Sequence, residues 1–233
     1  PGQVKDVQNM IRNLSKLYET INLGLAESGK AVVSTTTTEI DYTAMLENMI
    51  AEDFNHVFSP LPKEKKDFSI SNKLCYGPDN AALKIHEFSD FECPHCKTAV
   101  QYVNQVKKAF PDKVQICFMP FPLRGHKLAY MASIIAFSMP TKKQFWDFHD
   151  SVFANQDLLN RELILKLAAN VGHKLTDKEL ERLAETHSKY VSEVRAAGDS
   201  AGLQGTPSFF INGHRFSGSP SFLTTRVNFL LAN

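Results

Sequence analysis

Two of the four cysteines, Cys93 and Cys96, lie three apart in the segment Cys93-Pro94-His95-Cys96. That spacing suits either half of a zinc site or a redox pair. No second such pair and no matching histidine spacing accompanies it, so thiol chemistry is the stronger reading and zinc the minor one. A strand-like apolar run precedes Cys93 and a helix-like run follows it. The first cysteine therefore falls at a helix start, where free backbone N–H groups and the dipole favour an anion. A thiolate is stabilised there. Pro94 suits the first helical turn, where its missing donor is no loss, and residues three apart on a helix lie within disulfide reach. Depth then assigns the roles. Cys93, at the exposed tip, is the candidate attacking thiolate with a depressed pKa, and Cys96, one turn inward, the candidate resolving thiol. His95 can favour the thiolate further, and a stabilised thiolate makes the corresponding disulfide a stronger oxidant. The bland alternative is a structural disulfide or two ordinary thiols.

The elements that position this pair follow from hydrophobic periodicity. Leu83 to Phe88 reads as a strand, Pro94 to Phe110 as a helix stopped by Pro111, and Val114 to Met119 as a nearly continuous apolar strand, together a βαβ unit. From His126 to about Gly198 the pattern is helical. Thr141 and Asn160 are candidate N-caps, and Thr176 with Glu179 forms a capping box. Strands resume over Ser208 to Ile211, and Asn212-Gly213 signals a hairpin into His214 to Ser217. A last helix starts near Pro220. The order is βαβ, helical insertion, ββα.

Upstream, Val4, Val7, Ile11, Leu14, Tyr18, Ile21 and Leu25 recur at steps of three and four, a heptad seam that asks for a partner helix. A second run, from about Asp41 to Phe58, carries Leu46, Met49, Ile50, Phe54 and Val57 on one face before Pro60 and Pro62 end it. We expect a homodimer formed through residues 1–58. The cluster Lys63-Glu64-Lys65-Lys66 reads as a solvated linker, which puts the domain boundary near residue 66.

The 233 residues are enough for one full core plus an appended element, and 43% apolar with 22% charged residues is ordinary for a globular chain. Lys and Arg total 26 against 25 for Asp and Glu, so no net field points to a nucleic acid, and none is expected as a partner. No apolar run approaches the roughly 18 residues that span a bilayer. The sequence opens at Pro1-Gly2, which fits removal of an export signal or an arbitrary start; export is inferred.

The segment Phe88-Ser89-Asp90-Phe91-Glu92-Cys93-Pro94-His95-Cys96 resembles the active-site segment of the DsbA family of periplasmic dithiol oxidases. The resemblance covers roughly residues 67–233. It implies an α/β, thioredoxin-like fold with a helical insertion at about 126–198, preceded here by a helical arm over residues 1–66, and neither cofactor nor metal. Glu87, six before the first cysteine, matches the family's buried acidic residue. Independently, Glu87 falls on the Leu83 and Ile85 face of its strand, where a carboxyl group has a raised pKa and can relay protons to Cys96. A bend that leaves it a solvated edge residue is the alternative.

Gly205-Thr206-Pro207-Ser208 stands where thioredoxin-like proteins place a cis-proline loop opposite their cysteines. Although roughly 95% of X-Pro bonds are trans, the resemblance implies cis at Pro207, with Thr206 touching both client and Cys93. Typical DsbA oxidases carry Val before that proline, and Thr is similar to the DsbC and DsbG isomerases. The whole resembles the N-terminally extended, dimeric DsbA-like proteins of some Gram-negative bacteria, which combine oxidase and isomerase activity. The implied function is the formation and rearrangement of disulfides in exported, cysteine-containing clients, with a membrane redox partner of DsbB or DsbD type. Rival readings are a dedicated oxidase, a dedicated isomerase or reductase, and a dimeric holdase or copper-binding module.

Cys75 and Cys117 could approach each other in such a sheet, but buried free cysteine is common, and two inert thiols are expected rather than a second bridge. Asp90 and Glu92 either colour the field around Cys93 or are plain loop acids. His56, His86, His126, His149, His173, His187 and His214 show no ligand spacing, so surface or core packing is the default for each. Phe145, Trp146, Phe148 and Phe153 are helix-spaced and read as core of the insertion.

Overall fold

The computed structural model describes residues 55–233, and the heptad stretch Val4 to Leu25, with the rest of the expected arm up to residue 54, lies outside the described residues. Strands β2 (Leu83–Ser89) and β3 (Val114–Pro120) form the centre of a sheet and pair in parallel. Both are almost entirely buried, which explains their continuous apolar character. A parallel pair needs a crossover, supplied by α1 (Pro94–Ala109). On the β2 side β4 (Ser208–Ile211) and β5 (His214–Phe216) add antiparallel; on the β3 side β1 (Cys75–Tyr76) does so. The strand order is β1-β3-β2-β4-β5.

The β4–β5 turn follows its residues. Asn212 and Gly213 have φ of 49° and 83°, the left-handed pair that a two-residue hairpin requires. A Cβ on Gly213 would lie 2.2 Å from the Lys66 carbonyl oxygen, so only glycine fits. Asn212 Oδ1 accepts from Lys84 N at 2.8 Å and the Gly213 carbonyl accepts from Lys66 N at 2.9 Å, fastening the hairpin to β2 and to the incoming chain.

Between β3 and β4 the chain forms α2 (Lys127–Ser138), α3 (Lys142–Ala154), α4 (Arg161–Asn170) and α5 (Asp177–Ser200). The three expected N-caps are in place: Thr141 accepts from Gln144 N, Asn160 from Leu163 N, and Thr176 and Glu179 bond reciprocally. Each such cap contributes about 1 kcal/mol. A 3-10 turn at Pro220–Phe222 leads into α6 (Leu223–Ala232). Among the described residues no helix is long and apolar enough to cross a membrane.

Two cores flank the sheet. Leu83, Ile85, Ile116 and Phe118 pack with buried residues of α1, α3 and α6, including Val103, Phe145, Phe148 and Val227. Phe88, Met119 and Phe210 pack on the other face with Phe121, Val194 and Leu203. Upstream of the sheet, Val57 is buried, and Arg226 of α6 donates to the carbonyls of Val57, at 3.0 Å, and Ser59. Lys63 to Lys66 are exposed.

One expectation is corrected. Cys75 and Cys117 are not inert thiols but a disulfide, S–S 2.08 Å. The physical reason is register: β1 runs antiparallel to β3 with Cys75 directly opposite Cys117. A two-residue strand carries no periodic signal, so the sequence allowed the two cysteines to approach but did not fix the register that joins them.

Candidate active site

Cys93 is the N-cap of α1, with φ −77° and ψ 119°, and Pro94 opens the helix. The Cys93 carbonyl accepts from Cys96 N at 3.0 Å and Lys97 N at 3.2 Å, so the helix begins at the cysteine. Across from it the Thr206–Pro207 bond is cis, and Cys93 Sγ lies 3.3 Å from the Thr206 carbonyl oxygen, to which it donates as the neutral thiol. Cys93 and Cys96 are free thiols, 5% and 0% exposed. The nucleophile is thus less exposed than its tip position implied, because the Thr206 loop lies against it.

The Cys93 pKa is pushed down to about 5, chiefly by a hydrogen bond from the Cys96 thiol; burial opposes this, and the Thr206 side chain and the N–H groups of Cys96 and His95 assist. His95 therefore acts through its backbone amide, while its ring is on the exposed side. Burial and its role as donor to Cys93 push the Cys96 thiol far up. At pH 7 the pair holds one thiolate and one thiol.

Glu87 is 1% exposed, which decides for the core over the solvated edge. Burial raises its carboxyl to about 7, against the smaller opposing effects of the Ser89 hydroxyl and Lys107. Ser89 Oγ has no partner in full hydrogen-bond geometry, yet its hydroxyl lowers the pKa of both Glu87 and Cys96, so it stands near both acids. Lys107 of α1, half-buried, stacks 3.6 Å from the Trp146 ring centroid; burial lowers its pKa, and Asp150 and Glu87 partly offset that. A carboxyl with a raised pKa and the resolving thiol thus share the Ser89 hydroxyl as a neighbour.

Several side chains position this site in ways that the sequence left open, as for Asp90 and Glu92, or did not signal, as for Gln156. Asp90, 1% exposed, accepts from Glu92 N and Leu123 N at 2.6 Å each and meets His126 Nδ1 at 2.8 Å. Its backbone N–H donates to Cys96 Sγ at 3.4 Å, and its carbonyl accepts from Cys93 N at 3.1 Å. Glu92 accepts from Ala129 N at 2.8 Å in the first turn of α2. The two loop acids therefore fasten the cysteine loop to the insertion. Gln156, from a 3-10 turn after α3, donates to the carbonyls of Phe91 and Cys93. His126 does more than the surface or core packing expected of it: burial opposes its charged form, but Asp90, Glu92 and Cys93 together outweigh burial and raise its pKa. Phe145, Trp146, Phe148 and Phe153 are core, as expected.

A cysteine pair at the start of the helix after the first central strand, facing a cis-proline loop, defines a thioredoxin-type centre. The family model described as Thioredoxin matches residues 69–226. The "Probable disulfide bond formation protein D" of Bacillus cereus is 34% identical over 167 residues, 65% of this chain and 77% of that protein. The Na(+)/H(+) antiporter NhaA 3 of Salinispora tropica is 33% identical over 145 residues, but the chain spans only 22% of its length. The oxidised crystal structure of BdbD from Bacillus subtilis shares the fold at a TM-score of 0.61 and 22% identity, with 71% of this chain and 95% of that one covered. The chain belongs to the thioredoxin family, and within it to the DsbA-like thiol-disulfide oxidoreductases.

Proposed function

We propose that this chain forms and rearranges disulfide bonds in exported, cysteine-containing proteins in the periplasm, with Cys93 as nucleophile and Cys96 as resolving thiol. The observation that carries the reading is the placement of Cys93 Sγ at the α1 start, 3.3 Å from the Thr206 carbonyl of the cis-proline loop, with Cys96 buried one turn inward; the same surroundings push the Cys93 pKa down to about 5. In oxidation, a client thiolate attacks Sγ of Cys93 in the Cys93–Cys96 disulfide. Cys96 leaves and takes up a proton, and a second client thiolate then displaces Cys93. In rearrangement, the reduced Cys93 thiolate attacks a non-native client disulfide, forming a mixed disulfide and releasing one client thiolate; a client thiolate then displaces Cys93, which leaves a different client disulfide and restores the Cys93 thiolate. Pro207 has no N–H, so a client strand can pair with the backbone of Thr206 beside the sulfur.

Thr206 supports rearrangement through its likeness to the isomerases, and the heptad seam supports a homodimer through residues 1–58 that sets two sites around one client. The Cys75–Cys117 bridge supports an oxidising compartment. A partner of DsbB or DsbD type would restore the working redox state. The test gives the full chain a reduced client and, separately, a scrambled one. Gain of native disulfides in both is expected; oxidation alone leaves a dedicated oxidase, rearrangement alone a dedicated isomerase or reductase, and neither a holdase or copper-binding module.

Glu87 is proposed to exchange the Cys96 proton, and its pKa makes a signed prediction. A carboxyl raised from about 4.3 unfolded to about 7 folded binds more protons in the native state between those values, so stability falls as pH rises through that window. Glu87→Gln should leave unfolding by urea unchanged at pH 4 and stabilise the protein by about 3 kcal/mol at pH 8. The same variant should slow thiol exchange about a hundredfold. Equal stability of the two proteins at pH 8 would show that Glu87 is not held as a buried acid.

A further inference from the structure

The helical insertion reaches the nucleophile's backbone through the side chain of Gln156. Gln156 lies in the 3-10 turn Gln156–Leu158 after α3 and is 9% exposed. Its Nε2 donates to the Phe91 carbonyl at 2.9 Å and to the Cys93 carbonyl at 3.0 Å. The second of these oxygens is the acceptor from which the first turn of α1 hangs, through Cys96 N and Lys97 N. The next residue, Asp157, pairs with Lys97 of α1 at 2.5 Å, and Leu158 beyond it is 70% exposed. One turn therefore holds the cysteine loop from inside and the cysteine helix from outside, while presenting an apolar side chain to solvent.

We infer that this turn is a bracket through which the insertion sets the reactivity of Cys93, with Gln156 as a positioning residue for disulfide exchange. The inference rests on the reading of Cys93 as nucleophile. The direction of the Cys93 carbonyl fixes ψ of the N-cap residue, and so fixes where Sγ lies relative to the N–H groups of His95 and Cys96 and to Thr206. Those groups stabilise the thiolate only when they point at it, because helix-end effects fade within one turn. Without the carboxamide, two buried carbonyls lose a donor, and the loop relaxes toward other partners. The surface ion pair of Lys97 and Asp157 is by itself too weak to hold it.

The test compares the full chain with Gln156→Leu, similar in volume but without a donor, and Gln156→Glu, equal in length but with a carboxylate facing two carbonyl oxygens. Thiolate absorbance of reduced wild type should titrate with a midpoint near 5. The midpoint should rise by about one unit in the Leu variant and further in the Glu variant. The equilibrium with glutathione should move about tenfold toward the protein disulfide, about 30 mV more reducing. Either variant suffices if the other does not fold. A lower unfolding midpoint with an unchanged thiolate titration and glutathione equilibrium would make Gln156 a packing residue only and overturn the inference. Failure of the functional reading shows itself differently, as a wild-type chain that exchanges no disulfides with glutathione at all.

Discussion

Replacing Cys93 by Ser should reduce both client oxidation and client rearrangement to the uncatalysed rate. Every group that lowers the Cys93 pKa does so by stabilising a thiolate. A serine hydroxyl stays protonated in the same place, and it is a poor nucleophile toward sulfur. No other sulfur can substitute: Cys96 is fully buried with its thiol pushed up, and Cys75 and Cys117 are bonded to each other. The variant should keep its fold, since Ser fills the N-cap position of α1 at least as well as Cys does. Client fluorescence and a gel assay for free thiols, beside a circular dichroism spectrum, make the comparison. Retained turnover in a folded Cys93→Ser chain would remove the assigned nucleophile.

The second large effect is on stability. Replacing Cys75 and Cys117 together by Ala should destabilise the protein by about 4 kcal/mol and lower its thermal midpoint by about 10 °C. The bridge closes a loop of sequence separation 42, whose freedom in the unfolded chain is restored when it is cut. The native state depends on it locally too. Strand β1 has two residues and two register pairs with β3, too little to hold an edge by itself. Exchange through Cys93 should persist below the midpoint, because the bridge lies on β1 and β3 while the reactive pair sits at the start of α1. Unchanged melting of the double variant against wild type would contradict a formed bridge.

The fold was legible wherever the residue pattern repeats locally. The β2, β3 and α1 runs, the Thr141, Asn160 and Thr176 caps and the Asn212-Gly213 turn each carry their signal within a few neighbouring residues. The cysteine pair was legible for the same reason, since spacing and helix start are both local. What escaped were contacts between distant segments. Gln156 meets Cys93 across 63 positions, and Asp90 meets His126 across 36. An acid that caps a helix far along the chain looks, in sequence, like any loop acid. Glu87 was half legible: strand period gave its face, but only the closed core decides its burial. His95 shows the opposite limit, because its type suggested a charged ring while its backbone amide is what acts on Cys93.

In the proposed cycle Cys93 forms the covalent bond to a client and Cys96 breaks it. Cys96→Ser, incubated with a scrambled client and quenched with acid, exposes that step to mass spectrometry. A stable adduct of one chain and one client is expected, joined through Cys93, that a dithiol reductant releases and that wild type does not accumulate. No adduct, or one joined through Cys75 or Cys117, would contradict it.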